Sequence, residues 1–306
     1  QCYADPLRVA AQYDAEAKLL LAQKPFLANI LVRTVKDYMG LNPCDVEKLI
    51  EGEPYISTIP VEPGFTNSVQ IKGMNSENKV RNEGVAYFDI LFYVRTSDGL
   101  SKVIINIEAQ KSEPIDYDVE MRGLYYAIRE VSSQLDREFD SQNYNDIKKV
   151  YSIWICMNEK DNMLEKIYLT KNDIIGISRW KDMYEIVNVV IIRLAKTLDL
   201  QTEHELHRFL GALFLPELSA EEKNDMLENE FDIKMEADRR ELLKSMCNLS
   251  QGIKEQGIEQ GRREERISTL VTFFKNDGTV AAAKQMLNSS DEDIKIAKER
   301  LSMIEE

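Results

Sequence analysis

The chain has 306 residues, 43% of them hydrophobic, and 39 Lys and Arg against 53 Asp and Glu give a formal net charge of −14. This length permits two domains or one large domain with appendages, and no run approaches the ~20 apolar residues of a membrane-spanning helix. The acidic balance argues against a protein that coats nucleic acid, because such binding depends on phosphate neutralisation by Lys and Arg.

The first third of the chain indicates helices followed by a loop-rich segment. Apolar residues at helical spacing in FLANILVRTVKDYMG predict a helical lead-in over residues 1–50, interrupted at Gly40–Pro43. From Glu51 to Gly84 the chain is richer in Pro, Gly, Asn and Ser, and its run SVQIKGM suits a strand between loops.

The central part of the chain predicts an α/β core over residues 51–199. VAYFDILFYV (Val85–Val94) and KVIINIEAQ (Lys102–Gln110) are dense in β-branched and aromatic residues, and the turn between them contains Asp98 and Gly99. DVEMRGLYYAIREVSSQLDREF (Asp118–Phe139) has helical spacing, and VYSIWICM (Val150–Met157) indicates a buried strand. This order of elements favours a hairpin joined by a crossover helix to a further strand.

Beyond about residue 180 the pattern is helical almost to the end of the chain, and YEIVNVVIIRLAKTL is included in that prediction. Residues 200–306 are expected to form a helical C-terminal region, with glycines punctuating GIKEQGIEQGRREE and short helices around Thr279–Leu287 and Asp291–Leu301. Ser290 and Asp293 resemble a capping box. The last two helices have helix-turn-helix length, but the acidic start of the second helix opposes insertion into a DNA groove, which favours a partner contact or a plain helical bundle.

Two carboxylates in the predicted hairpin carry the chemistry. If Asp98 and Gly99 are the central residues of a tight turn, Asp89 lies directly opposite Glu108, with Cβ atoms ~5 Å apart on one face. Like charges placed there destabilise a sheet. The simplest reason for keeping both carboxylates is that their oxygens bind a divalent cation. Gln110, two residues after Glu108, shares that face. The alternative is that both carboxylates lie at strand ends and reach solvent, but their neighbours in sequence are interior residues such as Phe88 and Ile107.

An Asp in one strand, Glu-x-Gln in the next and then a helix resembles the PD-(D/E)XK nuclease core. The closer resemblance is to the recombination-promoting nuclease and transposase branch of that superfamily. It runs from NEGVAYFDILFYV through LSKVIINIEAQKS and MRGLYYAIREVSSQL to NYNDIKKVYSIWICMN, about a quarter of the chain (Asn82–Asn158). It implies a restriction-endonuclease-like α/β fold, with a central mixed sheet flanked by helices. It also implies a metal-dependent DNA endonuclease using Mg²⁺, with Mn²⁺ as a substitute.

By that resemblance Asp89 and Glu108 bind the metal, and Gln110 occupies the position of the motif's Lys. Since Gln is neither a cation nor a general base, charge stabilisation at the phosphate must come from the metal, Lys111 or Arg122. Arg122 is preferred, because Lys111 is expected on the opposite strand face. Arg122 and Tyr126 share one face of the predicted helix at i, i+4 spacing, although a solvated Arg and a packed Tyr would explain them as well.

Four questions stay open at this point. Many members of the superfamily add a Glu from an early helix, and the candidates here are Glu47, Glu51 and Glu83. Cutting both DNA strands needs two sites, which suggests a homodimer, and RNA is a lesser alternative substrate. The missing motif Lys and the acidic charge support a second reading, a catalytically inactive nuclease fold that acts as a nucleic-acid or protein-binding module.

The remaining signals point to no organic cofactor and no membrane. HELH (His204–His207) lacks the i, i+4 histidine spacing of a zinc-protease helix, so ordinary histidines on an exposed helix are expected. No phosphate-loop motif is present. The four cysteines are far apart, which indicates reduced thiols, and the first residues lack the basic and apolar regions of a signal peptide, which favours a cytoplasmic protein.

Overall fold

The computed structural model of the chain describes residues 6–56, 90–96, 99–108, 118–177, 185–197, 204–287 and 289–305. Three helices precede the sheet: α1 (Pro6–Leu21), α2 (Lys24–Thr34) and α3 (Pro43–Glu47). The sheet strands and the helix among them are β1 (Ile50–Ile56), β2 (Ile90–Thr96), β3 (Gly99–Glu108), α4 (Val119–Ser132), β4 (Val150–Glu159), β5 (Met163–Tyr168) and β6 (Val187–Ala195). Helices α5 (Glu205–Phe214), α6 (Ala220–Asn229), α7 (Ala237–Lys275), α8 (Val280–Met286) and α9 (Asp291–Glu305) follow. Within the described residues, no helix is both long and apolar enough to span a membrane.

The six strands form one mixed sheet in the order β1-β2-β3-β4-β6-β5. Strands β1, β2 and β3 pair antiparallel, β3, β4 and β6 pair parallel, and β5 pairs antiparallel with β6 at the edge. Helix α4 makes the crossover between the parallel strands β3 and β4. The expected α/β fold with a central mixed sheet flanked by helices is therefore confirmed.

Both faces of the central strands are covered. Helix α4 packs on β4 and β6 in a cluster that contains Trp154, Val189 and Ile191. The alternate residues of β6, Val190 and Ile192, face the other side and are also at most 1% exposed. Helix α5 contacts β6 and also packs against α2. A strand buried on both faces is apolar throughout, which explains the composition of β6.

The prediction that VNVVIIRLA belongs to a helix is wrong, because these residues form the parallel strand β6. A continuous apolar run cannot be assigned to a buried strand or a buried helix by periodicity alone. Strand β5 was missed, since its sequence MLEKIY is only partly apolar. Strand β1 begins at Ile50, inside the expected helical lead-in, and tolerates Pro54 where its register with β2 is irregular.

The hairpin of β2 and β3 forms with a different register from the predicted one. Thr96 pairs with Gly99 and Ile90 pairs with Ile105, whereas the predicted turn placed Ser97 opposite Leu100. A shift of two residues moves partners along the strands but leaves each residue on its face. The directly opposite placement of Asp89 and Glu108 depended on the predicted turn and loses that support. Asp89 itself lies outside the described residues, as do Gln110 and the predicted strand SVQIKGM.

The chain divides into two compact units, one of Asp14–Cys247 and one of Gln1–Tyr13 with Asn248–Glu306. Helix α7 is continuous through the glycine-punctuated segment, so those glycines do not end it. In the second unit Ile267, Leu270, Ala283 and Ile294 form a small core, and the Ser290 hydroxyl accepts a hydrogen bond from the Asp293 backbone amide (3.1 Å), as a cap requires. The predicted boundaries at residues 50 and 199 remain predictions.

Candidate functional site

The carboxyl ends of the three parallel strands β3, β4 and β6 lie side by side. Glu108, the last residue of β3, has Cys156 of β4 as its Cα partner, and Cys156 in turn pairs with Arg193 of β6. The Cys156 side chain is buried in the cluster beneath α4. These pairings place the backbone of Glu108 beside β4 and β6, the strands on which α4 packs.

Arg122 lies against two aromatic rings between α4 and β4. Its guanidinium carbon is 5.3 Å from the centroid of the Trp154 ring and 5.4 Å from that of Tyr126. Its Nε atom donates to the Tyr126 hydroxyl at 3.3 Å, as the i, i+4 spacing predicts. Both rings are buried, and their centroids are 5.6 Å apart. Cation–π contacts and the hydrogen bond therefore fix the guanidinium over β4.

The close approach of α4 to the sheet depends on Gly123. A Cβ atom at this position would lie 2.7 Å from Val189 Cγ1 and 2.9 Å from Trp154 Nε1. The Trp154 Nε1 atom donates to the hydroxyl of Ser152 at 2.8 Å, which holds the indole in place. The helix can therefore bring Arg122 onto Trp154 because residue 123 has no side chain.

Buried Arg193 forms an ion-pair network with two partly exposed carboxylates at the same end of the parallel strands. Its side chain binds Glu120 in the first turn of α4 at 2.5 Å and Glu165 of β5 at 3.1 Å. Burial alone would raise the pKa of the Glu120 carboxyl, but the hydrogen bond and the charge of Arg193 outweigh it and lower that pKa. Burial opposes the charge of Arg193, but its two carboxylate partners raise its pKa above the ordinary value.

Two of the three early glutamates lie far from Glu108. Glu51 pairs with Tyr93, which pairs with Lys102, and its carboxylate binds Arg95. Lys102 precedes Glu108 by six residues, which is about 20 Å along a strand. Glu47 ends α3 three residues before Ile50, which pairs with Val94, and Val94 pairs with Ser101 near the start of β3. Neither glutamate is therefore placed to share a metal with Glu108, and Glu83 lies outside the described residues.

The HELH segment forms no metal site. His204 occupies the N-cap position of α5 without a side-chain capping hydrogen bond. His207 is buried, not exposed as expected, with its Nε2 atom 3.0 Å from the Met163 carbonyl oxygen. Burial lowers the pKa of His207. Over the described ranges, no group of three or more His, Cys, Asp or Glu residues could hold a metal ion. The Asp89 and Glu108 side chains are outside what the structure describes, so their role as ligands stays a prediction.

The network of Glu120, Glu165 and Arg193 was not predicted from the sequence. A signal was present, because Arg193 is a cation in an otherwise apolar run. A charged residue in a strand buried on both faces requires partners, and this identifies it as part of a polar network. The assignment of the run to a helix hid that signal, since a helix would have turned Arg193 toward solvent.

The family model described as PD-(D/E)XK nuclease family transposase matches residues 60–255, more than half of the chain. Comparisons with curated proteins and with solved structures found no match. The matched residues include the hairpin, the crossover helix α4 and the parallel strands β4 and β6. The chain belongs to the PD-(D/E)XK nuclease family of transposases.

Proposed function

We propose that the protein is an endonuclease that hydrolyses DNA phosphodiester bonds with a divalent cation, Mg²⁺ by preference, in the cytoplasm. The observation that carries this proposal is the family match over residues 60–255. Nucleases of this superfamily act on nucleic acid and generally use divalent metal ions. The position of Glu108 at the carboxyl end of β3, beside the strands on which α4 packs, supports its place in the site.

Asp89 and Glu108 are the proposed metal ligands. Carboxylate oxygens are the hard ligands that Mg²⁺ and Mn²⁺ prefer in proteins. A divalent cation held by them would polarise the scissile phosphate and lower the pKa of the attacking water. Its positive charge beside the phosphate would make the net charge of −14 compatible with a DNA substrate.

Arg122 is the proposed cation that replaces the motif's Lys, with Gln110 as a hydrogen-bonding group for water or phosphate. Trp154, under the Arg122 guanidinium, has Asn106 as its Cα partner, two residues or about 7 Å before Glu108 along β3. Arg122 therefore lies over β4, the strand next to β3, two residues before the level of Glu108. A guanidinium can donate two parallel hydrogen bonds to phosphate oxygens. Tyr126 would act by holding the Arg122 Nε atom.

The test is cleavage of supercoiled plasmid DNA by the wild type and by Asp89→Ala, with Mg²⁺, with Mn²⁺ and with a chelator. We expect nicking that requires the metal and is lost in the variant, while thermal melts show that the variant folds. Parallel reactions with single-stranded RNA distinguish the substrates. Cleavage that survives chelation, or equal cleavage by both proteins, would refute the proposal.

A binding module with the same fold is the second candidate function. The neutral Gln110 at the position of the motif's Lys and the acidic net charge favour it. It predicts metal-independent binding of DNA or of a protein without cleavage. Sedimentation of the purified protein would show in addition whether it forms the homodimer that cutting both strands would use.

A further inference from the structure

The amino end of α4 has an unusual anchor. Asp118, its N-cap residue, makes no side-chain capping hydrogen bond within the described chain, although such a bond commonly satisfies the first amide groups of a helix. Gly123, directly after the first turn of α4, has a lower intrinsic helix propensity than Ala. The ion pair of Glu120 with Arg193 ties this turn to the sheet, together with buried Val119 and the contact of Arg122 with Trp154.

Arg193 is well placed to act as this anchor. Its side chain is buried on the parallel strand β6, whose neighbours on both sides are other strands of the sheet. Glu120 and Arg122 belong to the same turn of α4, so an anchor on the first also restrains the second. The second carboxylate on Arg193, Glu165, comes from the edge strand β5, and its link to α4 passes through the Glu120 carboxyl.

We propose that Arg193 is a positioning residue, which holds the first turn of α4 through Glu120 and thereby keeps the Arg122 guanidinium on Trp154 for the cleavage reaction. This inference rests on the proposed function for the role of Arg122. The geometric part, which is that the Arg193–Glu120 pair sets the position of Arg122, does not depend on any activity. Loss of the Arg193–Glu120 ion pair should release Arg122 from Trp154, whereas loss of the Arg193–Glu165 ion pair should not.

Fluorescence of Trp154 tests the geometric part. The chain has two tryptophans, so a Trp180→Phe background leaves Trp154 as the reporter. In that background, Arg122→Met gives the emission of an indole without its guanidinium. We expect Glu120→Gln to shift the emission toward that of Arg122→Met, and the matched control Glu165→Gln to keep the wild-type emission. If the two Gln variants give the same spectrum, the proposal is wrong.

Plasmid cleavage by the same variants tests the catalytic part. Glu120→Gln should lower kcat by about 10- to 100-fold, the scale expected for a misplaced group, with KM for the metal unchanged. Glu165→Gln should remain close to the wild type at similar thermal stability. If Glu120→Gln needs more metal for cleavage, Glu120 is a metal ligand and the positioning role is wrong. The positioning role is also wrong if the activities of the variants only follow their melting temperatures. If the wild type cleaves nothing, the proposed function fails, but the fluorescence result still decides the geometry.

Discussion

Replacement of Gly123 by Ala probes the packing that brings α4 onto the sheet. The new methyl group would lie 2.7 Å from Val189 Cγ1 and 2.9 Å from Trp154 Nε1, and both of those side chains are at most 1% exposed. Such overpacking costs about 1 to 3 kcal/mol. The gain in helix propensity from Gly to Ala is about 1 kcal/mol. We therefore expect a net loss of about 1 kcal/mol in the free energy of unfolding, and a displaced α4.

Gly257→Ala is the matched control, because a Cβ atom at this helical position meets nothing within 4 Å. It should stabilise its part of α7 by about 1 kcal/mol through propensity alone. Denaturant titrations followed by tryptophan fluorescence report the unit of Asp14–Cys247, which contains both tryptophans, and far-UV circular dichroism reports the whole chain. A Gly123→Ala variant that is stabilised as much as Gly257→Ala would refute the close-approach argument.

Three further predictions concern single side chains. Arg122→Met should lower kcat by about 10²- to 10³-fold, the scale for losing one donor at a developing charge, and steady-state cleavage with unchanged activity would rule out the assigned role. Tyr126→Phe removes the acceptor of the Arg122 Nε hydrogen bond and should reduce cleavage less than Arg122→Met does; an equal or greater loss would give Tyr126 a direct role. Burial lowers the pKa of Lys223 in the folded state. Between this lowered pKa and the ordinary one, the folded state binds fewer protons than the unfolded state, so stability rises with pH in that range. Lys223→Met should thus stabilise the protein most at neutral pH and less at alkaline pH, and denaturation showing the same gain at both would contradict this.

Local patterns predicted the core elements that have distinct periodicity. The β2–β3 hairpin, α4 and β4 follow from strand composition and helical spacing, and α4 presents Arg122 and Tyr126 on one face as expected. The predicted helix was too long, because after Ser132 the chain turns through Asp136, which has a positive φ of 60°.

Features set by distant contacts could not be predicted in the same way. The hairpin register depends on which turn residues pair, and a two-residue shift preserves the alternation of faces, so the apolar pattern cannot distinguish the two registers. The pairing of Glu51 with Tyr93, which places it far from Glu108, depends on β1 joining the far side of the hairpin. Arg193 meets Glu120 only because β6 lies next to β4 under α4.

A paired comparison of Glu108→Gln with Glu51→Gln in plasmid cleavage, with Mg²⁺ and with Mn²⁺, decides whether Glu108 is a metal ligand. Both changes remove one carboxylate from a strand of the same sheet. Glu51, however, lies level with Lys102, which is about 20 Å from Glu108 along β3. We expect Glu108→Gln to abolish metal-dependent nicking and Glu51→Gln to cleave like the wild type. Full activity of Glu108→Gln in folded protein would show that Glu108 is not a metal ligand.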